Sequence, residues 1–112
     1  MADSIFGKIA RGEASARIVY EDERALAFHD VNPQAPTHLL VIPRKPIDRL
    51  ASAQPGDAEL LGHLLLVARQ VAADARLDDY RLVVNNGPGA GQTVFHLHVH
   101  VLGGRPFRWP PG

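Results

Sequence analysis

The sequence predicts an α+β fold in which an antiparallel sheet carries helices on it. Three observations point there. Strand-like runs at 16–22, 24–30 and 37–43 follow one another across short turns. A long helical periodicity occupies residues 57–75, and two further strand-like runs, 80–86 and 93–102, come after it. The resulting order of helix, three strands, helix and two strands clusters the strands instead of alternating them with helices. That favours antiparallel pairing over a parallel, doubly wound sheet.

Each element has a local reason. Ser4 precedes "IFGKIARG", where Ile5, Phe6 and Ile9 share a helical face and Gly12 can supply the left-handed residue after the last turn. "ARIVYED" and "RALAFHD" are β-prone and meet at Glu21, Asp22 and Glu23, which reads as a hairpin. The two prolines of "NPQAP" make a turn, and "THLLVIP" is an apolar strand ended by Pro43, which lacks the N–H a ladder needs. From Asp57, a candidate N-cap, Leu61, Leu64, Leu65, Ala68, Val71, Ala72 and Ala75 recur every three or four residues. "YRLVVNN" is a strand, "GPGAG" a loop and "TVFHLHVHVL" a strand, and the Pro and Gly of "GGRPFRWPPG" forbid regular structure.

Composition narrows the function. The chain of 112 residues fits one domain, and a chain of this size buries roughly two thirds of its unfolded surface. Lys plus Arg and Asp plus Glu are both 12, so no broad basic face points to a nucleic-acid or membrane partner. The absence of cysteine excludes a disulfide framework, a thiolate zinc site and a cysteine nucleophile. No leader-like segment opens the sequence, and no apolar run approaches the ~20 residues that span a bilayer, so a soluble, cytoplasmic protein is expected.

The chemistry concentrates in "HLHVHV", which holds three of the six histidines. On a strand over 94–102, His96, His98 and His100 share one face at about 6.5 to 7 Å intervals, with Leu97, Val99 and Val101 on the other. Imidazole titrates near pH 6.5, so such a set can supply nucleophile, acid and oriented donor together. A neutral ring nitrogen can attack phosphorus, and neighbouring rings can donate to the phosphoryl oxygens. His-x-His on a strand also chelates zinc or copper. Against that alternative, Asp78 and Asp79, the nearest preceding carboxylates, have no ligand-like spacing.

Flanking stretches add to the signal. "NNGPGAGQT" offers backbone N–H groups for an anion and a hydroxyl at Thr93, but it lacks the Gly-Lys-Ser/Thr of a P-loop. "FHD" offers Phe28 and His29 to flank a base and Asp30 to accept from a diol. His38 is a further candidate, whereas His63, on the long helix, reads as structural or exposed.

These residues resemble the histidine-triad superfamily, whose signature is His-x-His-x-His-x-x with apolar x. "IFGKIARGE", "AFHDVNPQAPTHLLVIP", "LLGHLLLVA", "VVNNGPGAGQTVFHLHVHVLGGR" and "WPPG" look like its histidine-triad nucleotide-binding branch, the purine nucleoside phosphoramidases. The likeness covers residues 4–112 as a single domain. It implies a five-stranded antiparallel sheet with two helices, a homodimer, a purine nucleotide substrate or product, and no cofactor or metal.

The same resemblance implies roles for residues. His98 would attack the α-phosphorus of a nucleoside 5'-phosphoramidate or acyl nucleotide, and water would release the nucleoside monophosphate. His100 would donate around the phosphoryl group, His96 would orient the nucleophile, His38 would support the network, and Thr93 stands where the branch usually has a serine near the leaving group. Asp30 would hold the ribose. Phe28, His29 and Val31 would line the base pocket, and Asn85, Gly91, Gln92, Thr93 and Val94 the phosphate and sugar side. Trp109, on a tail that reaches a partner subunit, would select substrate. Ala14 and Ser15 replace a frequent Ile-Pro pair at the base pocket, and Ser4 and Gly7 stand where other members carry a Cys-x-x-Cys zinc site. Two other functions fit the same residues: a dinucleoside polyphosphate hydrolase, and a nucleotide-binding regulatory module with incidental hydrolysis.

Overall fold

Helix α1, Ile5–Ala10, begins where the Ser4 hydroxyl accepts from the Gly7 N–H at 2.9 Å, and Gly12 follows it with φ 74°. Three strands succeed it, β1 Ile18–Glu21, β2 Ala25–His29 and β3 Thr37–Pro43. Helix α2, Ala58–Asp74, leads to β4 Tyr80–Val83 and β5 Val99–Gly103. The computed structural model describes residues 3–112. Its five strands form one antiparallel sheet in the order β1-β2-β3-β5-β4, so the α+β expectation of five strands and two helices holds.

Alternation along the central strands gives the sheet two faces with different loads. Ala25, Ala27, Leu39, Val41, Val99 and Val101 bury against Leu64, Val67, Ala68, Val71 and Ala72 of α2. Fully burying a side chain such as Leu64 or Val71 contributes about 1.5–3 kcal/mol, so this apolar stripe fixes α2 on the sheet. The opposite face presents Leu26, Phe28, Leu40 and Ile42 to Phe6, Ile9 and Ala10 of α1. With only six residues, α1 leaves much of that face open, and the open part is where the polar residues of β2, β3 and β5 gather.

Two sequence expectations need correction. Regular pairing of the last strand starts at Val99 rather than near Thr93, because β3 ends at Pro43 and its ladder with β5 stops at Val41 opposite Val99. Residues 94–98 continue on irregular bonds instead: the Leu97 N–H reaches the Ile47 carbonyl at 2.6 Å, and His96 Nε2 donates to the Pro43 carbonyl at 2.7 Å. The second concerns β4, which ends at Val83 instead of running to Asn86. In the glycine loop that follows, the N–H groups at Ala90, Gly91 and Gln92 donate to the Gly87 and Pro88 carbonyls.

Candidate active site

A cleft of about 530 Å³ opens on the α1 face of the sheet. Its floor is apolar, from Phe6, Ile9, Phe28 and Leu40, and its polar side carries Asp30, His38, Thr93, His98 and His100. A slightly larger opening, about 580 Å³, lies under the C-terminal tail between 76–81 and 104–107, but it contains no histidine. The 530 Å³ cleft is therefore where acid–base and nucleophilic groups converge.

Hydrogen bonds fix the tautomer of each ring. The backbone N–H of Gln34 donates to His38 Nδ1 at 3.0 Å, so the His38 proton must sit on Nε2. That nitrogen lies 2.8 Å from His100 Nδ1 and 3.4 Å from Asp30 Oδ2, and it donates to the first. His100 consequently carries its own proton on Nε2, which is buried and has no hydrogen-bond partner among the described residues. His98 is arranged the opposite way: its Nδ1 lies 2.8 Å from the His96 carbonyl, an acceptor only, so Nδ1 holds the proton and Nε2 keeps the lone pair. Two rings two residues apart thus present an N–H donor, on His100, and an unprotonated nitrogen, on His98.

Packing reinforces this division. The His98 ring meets Phe6 edge-on at 5.0 Å and His100 at 4.9 Å, so helix α1 helps hold the His98 ring in place. Burial holds His98 below the ordinary histidine range, partly opposed by its bond to the His96 carbonyl and by Asp30. His38 is lowered by burial against the pull of Asp30. Burial, then His98 and His38, push His100 down to about 4. The three rings are neutral at pH 7, as the tautomer pattern requires.

Asp30 is built into the turn before it reaches the cleft. Its Oδ1 accepts from the Asn32 N–H at 2.8 Å, and its own N–H donates to the His38 carbonyl at 3.0 Å. Asp30, His38 and His100 bring three donor atoms within 4.8 Å of one another, a two-histidine, one-carboxylate set that could hold a divalent transition metal. Doing so would break the His38–His100 hydrogen bond.

The cleft brings together most of the residues singled out in the sequence: Phe28, His29, Asp30, Val31, His38, Gly91, Thr93, Val94, His98 and His100 all line it. Val31 stands fully exposed at the rim, and His29 also faces a small cavity on the α2 side of the sheet with Val19 and Asp74. His96 is buried behind the cleft, in a recess shared with Arg11 and Arg44, so its part is to hold the strand. Gln92 is a buried brace: its Oε1 accepts from the Gly87 N–H at 2.8 Å and its Nε2 donates to the Asp48 and Val94 carbonyls. Asn85 lies beside Gly91 without lining the cleft, and Trp109 sits on the tail, 82% exposed and outside it.

Sequence reasoning passed over Gln34 and the ring contact of Phe6. The first acts through a backbone N–H that no side-chain identity reveals. The second was readable only as one residue of an amphipathic helix. His63 does not reach the cleft; it bonds Asp22 Oδ2 at 2.7 Å and ties α2 to the β1–β2 turn.

Residues 11–107 match the HIT domain family. A protein of Synechocystis sp., named as an uncharacterized HIT-like protein, is 64% identical over 111 residues, which cover 98% of this chain and 97% of that one. A crystal structure of a HIT family hydrolase from Legionella pneumophila superposes with a TM-score of 0.93 at 49% identity, covering 96% of this chain and 98% of the other. A histidine triad protein from Clostridium difficile gives a TM-score of 0.92 at 40% identity over 96% of both chains.

Proposed function

The chain belongs to the HIT domain family, and from that premise we propose that it is a nucleotidyl hydrolase of the purine nucleoside phosphoramidase kind. The observation that carries this reading is the tautomer of His98: with Nδ1–H held by the His96 carbonyl, the Nε2 lone pair belongs to a neutral ring on the wall of a cleft of nucleotide size. The neighbouring hydrolase of Legionella pneumophila supports the reaction class.

In the first step His98 Nε2 attacks the α-phosphorus of a nucleoside 5'-phosphoramidate or acyl nucleotide. An N–P bond forms as the bond to the leaving amine or acid breaks, and an amine departs with a proton taken from solvent at the exposed Thr93 rim. Positive charge then develops on the His98 ring, and the His96 carbonyl bonded to Nδ1–H stabilises it. His100 Nε2–H donates to a phosphoryl oxygen, which gives this buried donor its partner. In the second step water attacks the same phosphorus and the N–P electron pair returns to His98. The nucleoside monophosphate leaves and water's proton passes to solvent. Neither step calls on a cofactor.

The apolar floor with Phe28 and Val31 takes the purine, and the free oxygen of Asp30 accepts from the ribose. Residues 4–112 act as one domain and the working species is a homodimer. β4 is an edge strand whose Tyr80 and Leu82 are exposed, and Leu65 and Leu66 are exposed on α2. Such an edge is covered by pairing with a second copy, which brings the tail with Trp109 to the partner's cleft. A cytoplasmic location fits this substrate, and no helix among the described residues is long and apolar enough to cross a membrane.

Steady-state hydrolysis of adenosine 5'-phosphoramidate tests the proposal, with a diadenosine polyphosphate as the competing substrate. The phosphoramidate is expected to turn over faster, and His98→Ala to lose at least ~1000-fold in kcat. Equal turnover by the variant sinks the nucleophile, and preference for the polyphosphate sinks the substrate class.

A further inference from the structure

We propose that Arg105, on the C-terminal tail, is a positioning residue that sets the tautomers of His38 and His100 through the backbone of Gln34. The proposal deepens the reading of this cleft as a hydrolytic site and rests on it for its kinetic consequence.

The chain of contacts is continuous. Arg105 Nη2 donates to the Gln34 carbonyl at 3.1 Å. The N–H of the same residue donates to His38 Nδ1, His38 Nε2 donates to His100 Nδ1, and His100 is left with its proton on the buried Nε2. The donor at the head of this series is the N–H of the Pro33–Gln34 peptide, with the Asp30 carboxylate, 3.4 Å from His38 Nε2, favouring the same tautomer; each ring could otherwise carry its proton on either nitrogen. A shift of Gln34 that took its N–H away from His38 Nδ1 would leave the weaker Asp30 contact as the remaining bias, and both rings could then mix tautomers.

Arg105 bonds the carbonyl of the following peptide, Gln34–Ala35, and so anchors Gln34 from its other side with a stacked group. The Arg105 guanidinium stacks on the Phe107 ring at 4.3 Å, and Arg81 lies over the same ring at 5.2 Å while donating to the Arg108 carbonyl at 2.9 Å. A planar guanidinium fixed by stacking loses little further freedom when it makes its hydrogen bond. The tail also crosses the turn closely at Gly104: with φ 90°, a Cβ there would lie 2.8 Å from the Pro36 side chain. The residue before Arg105 therefore passes close to the turn that carries Gln34.

The test compares the unmodified protein with Arg105→Ala, Arg105→Lys and Phe107→Leu. Imidazole nitrogen NMR at neutral pH, without substrate, reads each ring directly. In the unmodified protein His38 Nδ1 and His100 Nδ1 should be unprotonated and both Nε2 protonated. Arg105→Ala should show mixed tautomers at both rings while His98 keeps its single form, Phe107→Leu should show a partial version, and Arg105→Lys should restore part of the signal. With adenosine 5'-phosphoramidate, kcat for Arg105→Ala should fall by roughly 3- to 10-fold with KM nearly unchanged, as for a lost orienting hydrogen bond. Unchanged tautomers in Arg105→Ala overturn the proposal, as does a lowered melting temperature with ring signals intact. A protein that shows the tautomer response but never hydrolyses the phosphoramidate contradicts the substrate reading and leaves the positioning role standing.

Discussion

His98 and His100 are two positions apart at the start of β5, yet their rings present opposite groups to the cleft because their Nδ1 atoms meet different partners. A carbonyl two residues back forces the proton onto His98 Nδ1, whereas His38 forces it off His100 Nδ1. The spacing of the histidines made the site legible in the sequence. Their roles were not legible from the residues themselves, since His38 sits on β3 and Gln34 in the turn before it, far away in sequence, and only the fold brings them up. Thr93 shows the same limit: it is exposed at the rim, and no hydrogen bond among the described residues fixes its hydroxyl. A role beside the leaving atom predicts that Thr93→Val loses roughly 10- to 100-fold in kcat for basic amine leaving groups, while Thr93→Ser stays within a few-fold. Rates for amines of graded basicity check this, and a Thr93→Val variant as active as the parent would exclude the hydroxyl from the step.

At the level of elements, the strands and α2 were legible because alternation and helical periodicity are local signals, and both describe the faces that are buried here. The start of β5 was misread because backbone groups had been assumed available to a strand partner, and Pro43 removes that partner. The hairpin read at Glu21, Asp22 and Glu23 is there. Within it Asp22 collects four donors, from the Tyr20 hydroxyl, the Arg24 and Ala25 N–H groups and His63 Nε2, which hold its carboxyl far below the usual carboxylate range against the opposing effect of burial. Asp22→Ala leaves these donors without their acceptor and should cost about 1–3 kcal/mol in urea unfolding, more than His63→Ala, which removes one of them. A smaller loss for Asp22→Ala than for His63→Ala would show that the turn is held by something else.

For the molecule as a whole, placing five of six histidines in or beside the sheet has a thermodynamic consequence. His29, His38, His96, His98 and His100 are all shifted below the ordinary value of 6.5, with burial the largest cause for each. Between the folded and unfolded values the unfolded chain binds more protons, so their contribution to stability is complete above about pH 6.5 and is lost as pH falls toward about 4, the value for His100. Below that, Asp22 and Asp57, whose carboxyls are held low by hydrogen bonds, add a second loss. Urea midpoints across pH 3 to 8 should therefore be flat at the top and fall from near 6.5 downward. A midpoint that rises on acidification through that window would mean the rings are charged in the fold. Activity needs the same neutral state, because a protonated His98 Nε2 has no lone pair to give.

The most direct test of the central claim is rapid-quench mass spectrometry during turnover of adenosine 5'-phosphoramidate. The account predicts a transient protein species heavier by one adenylyl group, mapped to the peptide that carries His98 and absent from His98→Ala. An adduct on another residue, or sustained hydrolysis by His98→Ala, would contradict it.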